Sequence, residues 1–411
     1  MKAMMKNRSI LYSAAVVLAA IVLIGCKQLI FSSSPAEPIV STAPVTVEPA
    51  LPRKPKYVRG IHVTAWGAGS TTTRARLDKL FTETELNTIV IAIKEQEGEV
   101  YIPGVPQVQK AGTFVNAIPG VEKYIASLKE KGVYTIARIV VFRDDLLPRK
   151  QPALGVKTPE GALWQDHKGK TWLDPTNHDA WDYNIAIAER ALELGFDEIQ
   201  FDYIRFPSDG NTKDCRYSIR LTTTSANNAL VGFLKTAHER LKPRGANISI
   251  DVFGLTTTVE HDMGIGQRIV ELARWVDYVS PMVYPSHYNP GEYGIPNPNA
   301  APYQTVFRGM EGAVRRLGAE KVRPYLQDFS WGVRYGAKEV RDQIQATYDT
   351  NVGEWLLWNA ANNYTRGALK DKDQMDIFEK SPVIPREGKS GFKAAVAVSS
   401  ATLQPATTGQ P

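Results

Sequence analysis

Short apolar runs alternate along the chain with stretches that have helical periodicity. Eight runs rich in Val, Ile, Tyr and Phe, bounded by Gly, Pro, Asn or Asp, predict β-strands. They cover residues 58–66, 88–94, 134–142, 198–206, 248–254, 278–285, 323–329 and 354–360. Helical patterns between them cover residues 74–85, 119–132, 178–195, 224–241, 265–275, 303–317 and 337–351. Strands that alternate with helices pair in parallel through right-handed crossovers, and eight such units predict a closed (β/α)8 barrel.

An open, doubly wound sheet is the alternative architecture for the same alternation. That fold commonly carries a G-x-G-x-x-G turn after its first strand, and no such turn follows residues 58–66. The barrel is therefore the favoured prediction. The segment WLDPTNHDAWDY predicts the entry to the helix over 178–195, with Thr176 or Asn177 as its N-cap. Alternatively, this segment brings Trp172 and Asp174 over the mouth of the barrel.

The N-terminal residues have the composition of a bacterial lipoprotein signal peptide. Lys2, Lys6 and Arg8 give residues 1–25 a positive start, and a mostly apolar stretch ends in Leu-Ile-Gly-Cys at Cys26. We expect cleavage before Cys26 and lipidation of its thiol, which would anchor an exported protein to the membrane of the cell envelope. An uncleaved anchor helix is the alternative, because the apolar run is near the lower limit for crossing a bilayer.

Composition changes on both sides of the predicted barrel. Residues 26–56 are rich in Pro, Ser and Thr and predict a linker, residues 57–383 predict the folded unit, and residues 384–411 predict a disordered tail. The net charge is +6, with three positive charges in the leader, which is too small and dispersed to indicate nucleic-acid binding. Cys215 is the only other cysteine, so acylation of Cys26 excludes an intrachain disulfide, and the count excludes a metal site built on several cysteines.

Polar and aromatic residues are frequent at the carboxyl ends of the predicted strands, where a barrel carries its working face. Asp202 lies near the end of the fourth strand, and Asp251 has a similar place on the fifth. Asp197 and Glu198 lie at the opposite end, where we expect them to be solvated. The other candidates for contact with a substrate are His62, Trp66, Lys94, Arg205, Tyr284, His287, Gln327, Asp328, Trp331 and Trp358.

Two carboxyl groups beside aromatic rings suit the hydrolysis of a glycosidic bond. One carboxyl group protonates the leaving oxygen, and the other stabilises or traps the oxocarbenium ion. Asp202 is the candidate nucleophile or charge stabiliser, and Asp251 is the candidate proton donor. For both, the alternative is a structural ion pair with a basic side chain, because a buried carboxylate needs a partner. The aromatic candidates have the alternative of being core residues, and Asp328 faces the helices if Gln327 faces inward.

Several segments together resemble one known family. RGIHVTAW, IAIKEQEGEVYIP, IARIVVFRDD, GFDEIQFDYIRFP, ISIDVFG and VSPMVYPSHY are similar to a bacterial TIM-barrel family of unknown function described as "putative glycosyl hydrolases" (domain of unknown function 4015). The resemblance runs over residues 58–359 and implies a barrel related to α-amylase-like glycosidases. In those enzymes a fourth-strand aspartate is the usual nucleophile, and Asp202 has that position. A fifth-strand glutamate is their usual acid/base, and this sequence has the shorter Asp251 there.

Three functions are compatible with these residues. The first is a glycoside hydrolase that acts on an extracellular or cell-envelope polysaccharide, with Tyr284, Gln327 and Trp358 positioning the sugar. The second is a non-catalytic carbohydrate-binding or envelope-scaffold lipoprotein. A metal-dependent hydrolase has the least support, because the six histidines show no H-x-H or H-E-x-x-H spacing. The sequence therefore predicts hydrolysis of O-glycosyl bonds by carboxyl groups without a cofactor.

Overall fold

A computed structural model describes residues 54–374 of the chain. The predicted signal peptide, Cys26, most of the linker and the predicted tail lie outside the described residues, as do residues 375–383 of the predicted folded unit. Within residues 54–374, no helix combines the length and the apolar character needed to cross a membrane.

Eight parallel strands close into a barrel in sequence order, because β8 pairs with β1 as well as with β7. The strands are β1 (Arg59–Val63), β2 (Thr88–Lys94), β3 (Tyr134–Val140), β4 (Glu198–Asp202), β5 (Asn247–Phe253), β6 (Tyr278–Met282), β7 (Tyr325–Gln327) and β8 (Trp355–Trp358). The predicted barrel is therefore confirmed, with all eight strands where the apolar runs place them.

Helices lie between the strands and cover the barrel. They are α1 (Ala65–Gly69), α2 (Thr71–Glu83), α3 (Pro106–Ala111), α4 (Val121–Glu130), α5 (Leu147–Lys150), α6 (His178–Glu193), α7 (Thr223–Leu241), α8 (Ile269–Leu272), α9 (Pro302–Leu317) and α10 (Ala337–Asp349). Asn177 is the N-cap of α6, since its side chain accepts a hydrogen bond from the N–H of Asp179. The helix predicted over 265–275 is shorter, and a 3₁₀ turn at Ala273–Trp275 follows it.

A buried ion pair fills the amino-terminal end of the barrel. Glu198 on β4 pairs with Arg323, which precedes β7, and both side chains are fully buried. Ser249 on β5 donates a hydrogen bond of 2.6 Å to the same carboxylate. Asp197 is also buried, and it accepts a 2.9 Å hydrogen bond from the N–H of Thr135. The expectation that Asp197 and Glu198 are solvated is therefore wrong, because both carboxylates have partners inside the protein.

An apolar layer lies above this pair in the barrel interior. It includes Val90, Ile136, Tyr325 and Leu356 from four different strands, all of them buried. The hydroxyl of Tyr325 donates a 2.7 Å hydrogen bond to Oε1 of Gln200, so the polar atom in this layer has a partner. Such packing leaves the carboxyl ends of the strands as the place where a polar site is built.

Candidate active site

Asp202 is the last residue of β4, and both of its carboxylate oxygens have partners. Oδ2 accepts a hydrogen bond of 3.0 Å from Nε of Arg138 on β3, and a second one from the Nη2 of the same guanidinium. Oδ1 accepts a 2.6 Å hydrogen bond from the N–H of Tyr203. The structural ion pair considered as an alternative for Asp202 is thus present, and its partner is Arg138.

Tyr203 adopts a left-handed backbone conformation with φ 53°, which is uncommon for a residue with a side chain. This conformation ends the strand and turns the N–H of Tyr203 back onto the preceding carboxylate. Backbone strain of this kind costs about 1–3 kcal/mol and is concentrated at functional sites. The chain therefore fixes the orientation of Asp202 at a measurable cost in stability.

Arg138 connects Asp202 to other groups at the carboxyl ends of the strands. Its Nη1 donates a 3.0 Å hydrogen bond to Glu95, which follows β2, and its Nε lies 3.9 Å from Oδ2 of Asp251. The centre of the guanidinium lies 4.9 Å from the ring centre of Trp358. The ion pair between Arg138 and Asp202 is therefore one part of a larger charged cluster.

Asp251 on β5 is fully buried, and neither of its carboxylate oxygens has a hydrogen-bond partner among the described residues. Burial, reinforced by the negative charge of Asp202, raises the pKa of this carboxyl group well above its ordinary value, although Arg138 opposes the shift. A raised pKa favours the protonated form of the carboxyl group, which a general acid requires.

Three further buried polar groups surround these carboxyl groups and lack partners in the part of the chain that the structure describes. They are the two ring nitrogens of His62 and the hydroxyl of Tyr284, which add to the two unpartnered oxygens of Asp251. His62 stacks on Trp358 with ring centres 3.8 Å apart. Because buried polar groups are nearly always hydrogen bonded, these atoms mark a place for a polar ligand or for water.

Burial lowers the pKa of His62 well below its ordinary value, and the positive charge of Arg138 lowers it further. The imidazole is therefore neutral at physiological pH, with one nitrogen able to donate a hydrogen bond and the other able to accept one. Glu95 has a raised pKa, chiefly because of burial, with Arg138 opposing the shift. Its side chain is 21% exposed, more than that of Asp202 or Asp251.

The structure places four other predicted contact residues in the loops at the rim. Trp66 lies in α1 directly after β1 and is 63% exposed, and Trp331 follows β7 and is 40% exposed. His287 is exposed in the loop after β6, and its ring contacts Tyr284. Arg205 is buried beside the end of β4. Exposed aromatic rings at a barrel mouth are suitable platforms for the apolar faces of sugars.

Three predicted contact residues belong to the framework instead, because their polar groups are bound within the protein. Lys94 is fully buried, pairs with Asp144 at 2.8 Å and donates to the carbonyl of Val140. Asp328 accepts hydrogen bonds from the N–H and hydroxyl of Thr365.

Gln327 is the third of these framework residues. Its side chain accepts a hydrogen bond from the N–H of Ser286 and donates one to the carbonyl of Phe329. It therefore holds the loops after β6 and β7 together, with both its amide oxygen and its amide nitrogen bound inside the protein.

Sequence reasoning missed Arg138 and Glu95. Arg138 is a charged residue inside the apolar strand YTIARIV, in which every residue is buried. A charge in such a strand needs a buried counter-charge, and that is the signal that identifies it. Glu95 directly follows the second strand, at the face where the other candidates lie, but that position alone did not assign it a role, because a glutamate after a strand is also common in surface loops. Within residues 54–374, no group of three or more His, Cys, Asp or Glu side chains has an arrangement that suits a metal ion.

Comparison with known families gives one match that spans most of the chain. Residues 60–364 match the family described as "Putative glycosyl hydrolase domain". The matched range runs from the second residue of β1 to beyond β8 and includes all of the clustered side chains. No curated protein matches the sequence.

Several solved structures are similar to the chain. A hypothetical protein from Ruminiclostridium thermocellum is 36% identical, with 47% of this chain and 97% of that chain covered and a TM-score of 0.42. The PgaB glycoside hydrolase domain from Bordetella bronchiseptica is 15% identical, with 74% and 94% covered and a TM-score of 0.56, so it has a similar fold. A chitinase from Chromobacterium violaceum is 12% identical, with 76% and 96% covered and a TM-score of 0.46.

Proposed function

Since this chain belongs to the family described as "Putative glycosyl hydrolase domain", we propose that its barrel hydrolyses O-glycosidic bonds in an extracellular or cell-envelope polysaccharide. One observation carries the proposal: Arg138 contacts both Asp202 and Asp251 at the carboxyl ends of adjacent strands. Acid-assisted glycoside hydrolysis uses two carboxyl groups whose environments differ, and Arg138 holds two such groups near each other here.

Asp202 is assigned as the nucleophile or charge stabiliser. Its two carboxylate oxygens accept hydrogen bonds from Arg138 and from the N–H of Tyr203. These hydrogen bonds fix its orientation, so little reorganisation is needed as positive charge develops on the anomeric carbon. An ion pair with an arginine is compatible with this role, because the guanidinium holds the carboxylate in one orientation.

Asp251 is assigned as the proton donor, because its raised pKa favours the protonated carboxyl group. Glu95 is the second candidate for this role. It also has a raised pKa, and it is the more exposed of the two groups. An activated aryl glycoside separates these candidates, because its leaving group needs no proton. The Asn or Gln variant of the true donor loses far more activity on the natural linkage than on the aryl glycoside.

The distances suit a double-displacement mechanism with retention of configuration. Nε of Arg138 lies 3.0 Å from Oδ2 of Asp202 and 3.9 Å from Oδ2 of Asp251. The two oxygens are therefore no more than about 7 Å apart, a limit that includes the separation of about 5–5.5 Å in retaining enzymes and only the lower end of the range of about 6.5–9.5 Å in inverting ones. Proton NMR of the first-formed anomer tests this assignment directly.

A polysaccharide panel assayed for new reducing ends tests the proposed activity. We expect the wild-type protein to release reducing ends from at least one polymer, and Asp202→Asn to lower kcat by about 10³-fold or more. Glu198→Gln is the matched control, since Glu198 is also on β4 and also pairs with a buried arginine, but at the other end of the barrel. Full activity of Asp202→Asn, with its fold intact by circular dichroism, would contradict the assignment.

A further inference from the structure

We propose that Arg205 forms a subsite for a carboxylate group on the sugar chain, so that the substrate is a polysaccharide containing uronic acid. This inference rests on the proposed hydrolase function and specifies the substrate of the same site. Arg205 lies three residues after Asp202, and its guanidinium lies 4.7 Å from the ring centre of Phe253, which is two residues after Asp251. Arg205 therefore follows the strand that carries Asp202 and packs against the last residue of the strand that carries Asp251.

Arg205 differs from the other buried arginines of residues 54–374. Arg59, Arg138 and Arg323 each form an ion pair with a carboxylate. Arg205 is only 5% exposed, yet no carboxylate within the described part of the chain lies within ion-pair distance of it. A buried cation without a counter-charge is costly, so the absence of an anion in the free protein needs a reason.

One edge of the Arg205 guanidinium is already used inside the protein. Nη1 donates hydrogen bonds to the carbonyl of Phe206 at 3.0 Å and to the hydroxyl of Ser208 at 3.2 Å. Among the described residues, Nε and Nη2 have no hydrogen-bond acceptor, and neither is among the fully enclosed atoms. Nε and Nη2 together form the edge that binds a planar carboxylate through two parallel hydrogen bonds.

Aromatic rings hold this guanidinium in place. The ring centres of Trp172, Tyr203 and Phe253 lie 4.9, 5.0 and 4.7 Å from its central carbon. These contacts offset part of the cost of burying the charge, and they exclude water from the guanidinium. A fixed, poorly hydrated guanidinium binds an anion more strongly than a mobile surface lysine, because it loses less entropy and less hydration.

The charges near Arg205 include a second arginine and several carboxylates, none of which pairs with Arg205. Arg143 lies over the other part of the Tyr203 ring at 5.5 Å and donates to the Tyr203 hydroxyl at 3.2 Å. Arg143 has Asp166 as a partner at 3.4 Å. Asp209 reaches Arg205 only through Ser208, whose hydroxyl donates to Asp209 at 3.2 Å. Asp209 and Asp202 therefore act on Arg205 from beyond ion-pair distance, and no carboxylate among the described residues contacts its guanidinium.

Binding by calorimetry tests this subsite with the Asp202→Asn protein, which binds without turnover. The probes are oligosaccharides of homogalacturonan, alginate and hyaluronan, each compared with the same oligosaccharide after its carboxyl groups are reduced to alcohols. We expect at least one acidic probe to bind ten-fold or more tightly than its reduced form. We expect the double variant with Arg205→Gln to lose that difference in affinity. The double variant with Arg205→Lys keeps part of it, because lysine retains the positive charge but cannot form two parallel hydrogen bonds with a carboxylate.

Arg316→Gln is the matched control. Arg316 lies on α9 and likewise has no carboxylate within ion-pair distance among residues 54–374, but it donates to the carbonyls of Thr256 and Val259. We expect this variant to keep the preference for the acidic probe. Equal affinity for every acidic probe and its reduced form, or a preference that survives Arg205→Gln, overturns the subsite.

The outcomes separate this inference from the proposed activity. A preference for the acidic probe that depends on Arg205, without hydrolysis by the wild-type protein, supports the subsite and contradicts the hydrolase function. Hydrolysis of neutral polymers without any such preference supports the hydrolase function and contradicts the subsite. A sulfated neutral oligosaccharide forms the third arm, and Arg205-dependent binding of that probe alone assigns the subsite to sulfate and overturns the carboxylate.

Discussion

Nε of Arg138 lies 3.9 Å from Oδ2 of Asp251, although strand β4 separates the strands that carry the two residues. The guanidinium crosses the barrel interior above β4 and pairs on its way with Asp202, and it also pairs with Glu95. One buried positive charge therefore serves three carboxyl groups. Such a cluster makes both stability and activity depend on pH.

Arg138→Met is expected to destabilise the protein more at pH 8 than at pH 5. At pH 8 the loss is about 3–5 kcal/mol, because buried carboxylates remain without a counter-charge. At pH 5 these groups take up protons at a lower cost, so the free energy of unfolding falls less. Urea denaturation at both pH values measures the difference.

Arg59→Met is the control for this variant. Arg59 is also buried and pairs with Glu85 at 2.9 Å, but Glu85 keeps a second partner in Arg341 at 2.9 Å. We expect a smaller loss of stability with little dependence on pH. An equal loss for Arg138→Met at pH 5 and pH 8 contradicts the role of Arg138 as the shared counter-charge.

Asp251→Asn is expected to stabilise the fold and to abolish activity. The pKa of Asp251 is raised by folding, so folding takes up a proton above about pH 4, the ordinary pKa of aspartate, and wild-type stability declines as pH rises toward the raised value. Asparagine has no proton to take up, so the gain is larger at pH 8 than at pH 5, about 1–3 kcal/mol. Denaturation curves at the two pH values, with turnover assays on the same samples, measure both effects.

His62→Phe is expected to make the free energy of unfolding fall less as the pH is lowered. The pKa of His62 is lowered by folding, so the unfolded chain binds a proton below about pH 6.5 while the folded protein does not, and stability falls as pH falls through that range. Phenylalanine keeps the stacking on Trp358 and removes the titrating group. Melting temperatures between pH 5 and pH 7.5 show the change, and an unaltered slope means that His62 is not the group responsible.

Cys26→Ser is expected to release the exported protein from the membrane fraction. If Cys26 is lipidated as the N-terminal pattern predicts, the lipid chains supply the hydrophobic anchor, and serine provides no thiol for that linkage. Fractionation of cells, combined with incorporation of labelled fatty acid, measures both consequences. Membrane association of the serine variant without any label supports an uncleaved anchor helix instead.

The sequence alone was sufficient for the fold, because each strand and each long helix carries its own local pattern. The run IVIAIK and the spacing in IAIAERALELG each specify one element without reference to distant residues. Asp202 was also accessible to this reasoning, since it ends an apolar strand at the working face of a barrel. These features depend on position along the chain, which a sequence displays directly.

The pairing of side chains was not accessible in the same way. Lys94 and Asp328 have the same position at strand ends as Asp202, but Asp144 and Thr365 bind them inside the framework. Those partners are far away in sequence and become neighbours only after the barrel closes. The role of Arg138 likewise depends on its contacts with three carboxyl groups from other parts of the barrel, so no local pattern in the sequence identifies that role.

Strand β4 carries an arginine-bound carboxylate at each end, with Arg323 below and Arg138 above. These two ends can change independently during evolution. A descendant that loses Asp202 but keeps Glu198 retains the interior ion pair, and with it the shape of the barrel, while it gives up turnover. A related barrel that binds carbohydrate without hydrolysing it should thus lack the aspartate at the position of Asp202, even where the remainder of the strand is unchanged.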